Sequence, residues 1–210
     1  AGGVATATDG HANIGFGYQS GMSLTSGHRN ILIGDNAGKA VNTGDANVFI
    51  GEAAGLKATT AENCIAIGTG ALYNTVAGAQ SNIAIGHMAI KTGVATGDYN
   101  TAIGTLALED LTTGADNVAI GSSAALNLTT ATDSIAIGHD AMSGGATTGN
   151  TNIGIGKTTL NSLIAGTGNI ALGRSAGKAM VDNEHNIAIG HHALYTSAGT
   201  ADKNIAIGYN

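Results

Sequence analysis

His87, His139 and His191 each follow a glycine directly and stand 52 residues apart. Imidazole is the side chain best suited to metal ligation and proton transfer near neutral pH, so their regularity invites a metal reading. The spacing argues against it. Fifty-two residues span three units of a shorter repeat, so the histidines lie too far apart along the chain axis to share one ion. In an assembly of several chains, copies of one histidine would meet only if this position faced inward. Elsewhere the same position carries Tyr18, Asp35, Glu52, Lys157 and Arg174, a solvated set. The pair His191-His192 adds little, because neighbours on a strand point opposite ways. The sequence therefore predicts no metal site.

Other chemistry is equally diluted. GDNAGKA (34–40) and GRSAGKA (173–179) approximate a phosphate-binding loop. That loop needs four residues between its glycines and Ser or Thr after the Lys; here there are three, and alanine follows. Calcium-binding nonapeptide repeats need a G-G-x-G-x-D frame, which is missing, and Asp45, Asp98 and Asp116 are irregularly placed. Ser, His and Asp occur as scattered variants with no geometry for a hydrolytic triad. Neither an enzyme nor a cofactor is expected. The sequon Asn127-Leu128-Thr129 carries weight only in a secreted protein. Net charge is −6, which disfavours a phosphate backbone as partner, so no nucleic acid is expected. No run of 18 apolar residues exists, so no membrane insertion is expected.

The elements behind these residues form one repeat. An N-x-A-I-G string closes at Gly17, Gly34, Gly51, Gly68, Gly86, Gly104, Gly121, Gly138, Gly156, Gly173, Gly190 and Gly208, in steps of 17 or 18 residues. Composition agrees: 34 glycines, no proline, no tryptophan, 3% aromatics and 10% charged residues, against 43% apolar residues. That apolar share is too high for a disordered linker. The missing G-X-Y triplet rules out collagen, and the single Cys64 rules out a disulfide scaffold. A proline-free chain suits a long ladder, because proline removes a backbone donor.

Each column of the repeat has a physical reading. Three residues before the glycine stands a β-branched residue, such as Ile14, Val48 or Thr101. One residue before it stands Ile33, Ile50, Ile67, Ile85, Ile103, Ile120, Ile137, Ile155, Ile189 or Ile207, with Phe16 and Leu172 as variants. A small residue, usually alanine, separates them. This alternation of period two predicts a short strand. Both its faces are apolar, so both should be covered. Isoleucines such as Ile120 and Ile137 are expected to fill a narrow lumen, and the small-residue face to meet another chain. Alanines such as Ala37, Ala54 and Ala124, then Gly or a larger aliphatic, should form the opposite wall. A variable stretch rich in Thr, Gly, Ala and Asp should be loop. Four residues before the glycine stand Asn13, Asn30, Asn47, Asn82, Asn100, Asn117, Asn152, Asn169, Asn186 and Asn204, replaced by Cys64 and Ser134 in two units. Stacked about 4.8 Å apart, their amides can bond in a ladder or satisfy turn backbone. Their expected role is structural.

The fold class expected is therefore all-β: a β-solenoid or β-roll of about twelve coils, residues 1–210 forming one repetitive shaft. With no initiating methionine and a last motif opening a new coil, the chain reads as an excerpt of a longer protein. Strings such as NTAIGTLALEDLTTGADNVAIG (100–121) resemble the N-T-A-I-G-x-x-A-L repeats of phage tail fibres and similar surface proteins. More distantly they are similar to the head repeats of trimeric autotransporter adhesins. The resemblance covers essentially the whole chain. It implies a homotrimeric shaft on a virion or an extracellular bacterial surface. It also implies a host glycan or protein engaged through flanking domains. Two rival readings are direct adhesion through the variable loops and an ice-binding solenoid. Ice binding needs a flat threonine array. Thr59-Thr60, Thr112-Thr113 and Thr129-Thr130 suggest one, but Val76-Ala77, Ile164-Ala165 and Val181-Asp182 interrupt it.

Overall fold

A computed structural model describes residues 10–75, 78–91, 97–196 and 201–209. Twelve strands of three residues each recur once per repeat: β1 (Ile14–Phe16), β2 (Ile31–Ile33), β3 (Val48–Ile50), β4 (Ile65–Ile67), β5 (Ile83–Ile85), β6 (Thr101–Ile103), β7 (Val118–Ile120), β8 (Ile135–Ile137), β9 (Ile153–Ile155), β10 (Ile170–Leu172), β11 (Ile187–Ile189) and β12 (Ile205–Ile207). They pair parallel and in sequence order in one sheet. Equivalent residues are in register: Thr101 pairs with Val118, Ala102 with Ala119 and Ile103 with Ile120. The protein is a β-solenoid of about twelve coils, as the repeat predicts. The ladder runs beyond the strands: Leu106 N donates to His87 O of the preceding coil at 3.0 Å, and Leu108 N to Ala124 O of the next at 3.0 Å.

The lumen corrects the expected orientation of the strands. The middle residue of the strand points inward. Ala66, Ala84, Ala102 and Ala119 are fully buried, whereas Ile120 is 37% exposed and Ile137 is half-buried. The small-residue face is thus the core, and the isoleucines face out. The reason is the width of the coil. Ala37, Ala54, Ala107 and Ala124 form the opposite wall, with Leu72, Ile90, Leu108 and Leu160 beside them, all buried. These long aliphatics need small partners across a narrow lumen. Two coils exchange the sizes. Leu32 and Phe49 replace the strand alanine, and there the opposite wall carries Gly38 and Gly55. A Cβ on Gly55 would stand 2.4 Å from the Phe49 ring, and one on Gly38 2.6 Å from Leu32 Cδ2.

A third inward column lies in the stretch expected to be loop. Leu24, Val41, Ala58, Leu111, Leu128, Leu163 and Met180 are buried seven residues after the repeat glycine. Its composition varies too much to show a pattern in sequence, yet every described member but Gly145 is buried.

The repeat glycine has two physical demands to meet. Its φ lies between +124° and +146° in every coil, a region essentially closed to other residues. The next coil also presses on it: a Cβ on Gly104 would stand 2.4 Å from Gly121 O. Left-handed residues fill further corners, among them Leu106 (φ 59°), Ser123 (φ 55°) and Asp116 (φ 58°).

Candidate functional site

The structure brings the outward strand positions together into one surface. The first and third residues of twelve strands give 24 positions, and 23 of them are Ile, Val, Leu or Phe. Thr101 is the exception. These side chains stand in two columns along the sheet, because parallel in-register pairing stacks each over its equivalent. Ile67, Ile103, Ile120 and Ile155 are each 37–38% exposed. Eleven strand-to-strand steps of about 4.8 Å make the stripe about 53 Å long, and a three-residue strand is about 10 Å wide. The projected area is therefore on the order of 500 Å², more once side-chain relief counts. Apart from Thr101 the stripe is apolar along its whole length, and its area lies in the upper part of the range for the largest apolar patch of a single chain. The sequence pointed to the right residues and the wrong direction. Ile33, Ile50, Ile67, Ile85, Ile103, Ile120, Ile137, Ile155, Ile189 and Ile207 belong to this outward stripe, not to the lumen.

The asparagine column lies beside the stripe and is structural in its geometry. Asn117 shows the pattern. Its backbone N and its Nδ2 both donate to Asn100 Oδ1, at 3.1 and 3.0 Å. Nδ2 also donates to Ala131 O at 2.8 Å, and Oδ1 accepts from Ser134 N at 3.0 Å. The same links join Asn13, Asn30 and Asn47, then Asn82 and Asn100, then Asn152, Asn169, Asn186 and Asn204. Cys64 receives the ladder through its backbone N, which donates to Asn47 Oδ1 at 3.0 Å. Its thiol lies 3.6 Å from Ala79 O, where an asparagine would place its amide. Burial pushes that thiol pKa up.

A second side-chain clasp was not legible in the sequence. Asp45, Asp98 and Asp202 share a column six residues before the glycine. Each Oδ1 accepts the backbone N of the previous coil: His28 at 2.6 Å, Gln80 at 2.7 Å and Glu184 at 2.8 Å. Asn150 does the same for Thr132 at 2.9 Å. His28 Nδ1 in the same column accepts from His11 N at 3.1 Å, so what looks irregular among the acidic residues is an optional fastening, present where a side chain with a suitably placed acceptor stands.

His87, His139 and His191 stay apart from one another. His191 and His192, however, lie in a turn rather than on a strand and stack with ring centroids 3.9 Å apart, contrary to the opposite directions expected of strand neighbours. His87 and His139 are exposed on the corner after the glycine, and His139 pairs with Asp140 at 2.8 Å. His191 accepts from Arg174 Nε at 2.9 Å and stacks on His192 and Tyr209. Desolvation, then His192 and Arg174, lower its pKa. Among the described residues, no group of three or more His, Cys, Asp or Glu is placed to hold a metal. On the same corner, Gly70 omits a side chain between Ala53 and Met88 and leaves a shallow cavity of about 390 Å³ walled by Tyr73 and Lys91. Lys91 is held by Glu109 at 3.3 Å, and Lys57 covers the Tyr73 ring at 5.8 Å. Among the described residues, no helix is long and apolar enough to cross a membrane.

No protein-family description, curated protein or solved structure matches the chain.

Proposed function

We propose that this chain is the structural shaft of a homotrimeric fibre, of the tail-fibre or surface-adhesin kind. It would hold a host-binding element away from a virion or a bacterial surface. The observation that carries this reading is the outward isoleucine stripe. An elongated solenoid whose core is already closed has no structural need for a second apolar face. A face without charge along its full length makes sense when it is covered.

The geometry favours a second copy of the same chain as the cover. The stripe repeats every coil, so only a partner with the same axial spacing can bury every level of it. The two outward columns of each chain turn together toward a common axis, so that equivalent residues of the chains converge there and each chain meets both neighbours. That arrangement closes as a ring of three and leaves no stripe open. The solvated corner with His87 and His139, and the variable turns, then remain outside. The role is mechanical rather than catalytic, with host glycan or protein met through flanking domains.

Sedimentation equilibrium of the chain tests the reading, with three chains per particle as the expected result. Ile120→Asp with Ile137→Asp should give folded monomers, because in one chain these positions are half-solvated and only assembly buries their charge. A wild-type chain that stays monomeric across the micromolar range with its β-structure intact would refute the homotrimer.

A further inference from the structure

A uniform stripe has a difficulty that the homotrimer must resolve. Sliding one chain past its neighbours by a single coil, about 4.8 Å, presents nearly the same surface again. Isoleucine still meets isoleucine at almost every level. Val48 and Val118 differ from isoleucine by one methylene, which marks a level only weakly. Thr101 is different in kind. It is the one polar residue among the 24 outward strand positions, near the middle of the shaft, on β6. Its neighbours above and below in the same column are Ile83 and Val118. Its backbone N is committed to Asn117 O at 2.8 Å. Among the described residues, its hydroxyl takes no intrachain hydrogen-bond partner.

We propose that Thr101 fixes the axial register of the three chains. The inference rests on the homotrimeric reading. With the chains level, three Thr101 hydroxyls stand at one height around the axis. Each can donate and accept, so they satisfy one another directly or through one shared water. A slip of one coil places each hydroxyl against Ile83 and Ile85 or against Val118 and Ile120 of a neighbour. There it is buried with no partner, which is penalised. A single buried polar residue sets register in other uniform apolar seams by the same asymmetry. The penalty acts at one level only, so it selects register without interrupting the apolar seam elsewhere.

The test uses the whole chain with Cys64→Asn, which removes the native thiol and inserts the residue the repeat carries elsewhere. A spin label at Thr130→Cys, an exposed turn position, reports distances between chains. Level trimers place three labels at equal separations and give one distance. Slipped trimers add longer distances. Thr101→Val keeps the shape and removes the hydroxyl; it should lose the single distance while sedimenting as a trimer. Thr101→Ser should keep the single distance. A second variant, Thr101→Val with Ile135→Thr, moves the polar level two coils along and should restore the single distance. The proposal is overturned if Thr101→Val trimers keep one distance, or if Thr101→Ser loses it to the same degree as Thr101→Val. A wild-type particle that is not trimeric by sedimentation would instead overturn the homotrimer, and the register proposal with it.

Discussion

At the scale of single residues, the repeat separates positions that must be glycine from positions that merely sit at positive φ. Gly104 has φ +136° and lies under the carbonyl of Gly121. Gly104→Ala combines backbone strain with a steric clash and should cost about 3 kcal/mol or more. Ser123 has a φ of 55°, an ordinary left-handed corner. Ser123→Gly relieves that conformation but frees the unfolded chain, so its net effect should lie within about 1 kcal/mol of zero. Urea denaturation of the two variants checks the contrast. Asn117→Ala should cost about 2–4 kcal/mol, because it strands Ala131 O and Ser134 N in a buried ladder and leaves Asn100 Oδ1 only the backbone N of residue 117 as donor. The ladder and the glycines were legible in the sequence, since both demands recur unchanged in coil after coil. The Asp45, Asp98 and Asp202 clasps were not. They occupy a column where His11, Gln80 and Ala115 also stand, and a side chain used only in some coils leaves no periodic trace.

At the scale of the coil, the strand and its alternation were legible, but the direction of its faces was not. Hydrophobicity ranks isoleucine above alanine, which points isoleucine to the core. The lumen is set instead by how closely the two walls approach. The strand residue and the wall residue four after the glycine share one space. Their sizes trade off: Ala102 with Leu108, but Phe49 with Gly55. Reading the two columns jointly would have shown this in the sequence, since the large strand residues occur where the wall is glycine. Phe49→Ala alone should cost about 3–5 kcal/mol by leaving a cavity. Gly55→Leu alone should cost about 1–3 kcal/mol or more by overpacking against the Phe49 ring. The double variant rebuilds the composition of the Ala102 coil and should recover at least half of the summed loss. A double-mutant cycle measured by denaturation would show that coupling; strict additivity would contradict the shared space.

At the scale of the whole molecule, coils touch only their sequence neighbours in a single parallel sheet. Stability should therefore add up coil by coil. Deleting residues 87–138 removes three coils in phase and joins Gly86 to His139. The shaft should shorten by about 14 Å, three rises of about 4.8 Å, with its β-structure and melting behaviour little changed. Removing half a coil would set strand residues over turns and should disrupt the stack locally. Electron microscopy of both variants within a longer fibre distinguishes them. The ladder bonds that join the coils also run along the long axis of the molecule, as do the asparagine links. A pull on the ends therefore acts along these bonds rather than across them. Each interface between coils holds many such bonds side by side, while the interfaces themselves are in series. Such a rod is stiff under small loads, and when overloaded it parts at one weakest interface while the others keep their length. The interfaces to examine for that fracture are those at Cys64 and Ser134, where the amide chain is interrupted.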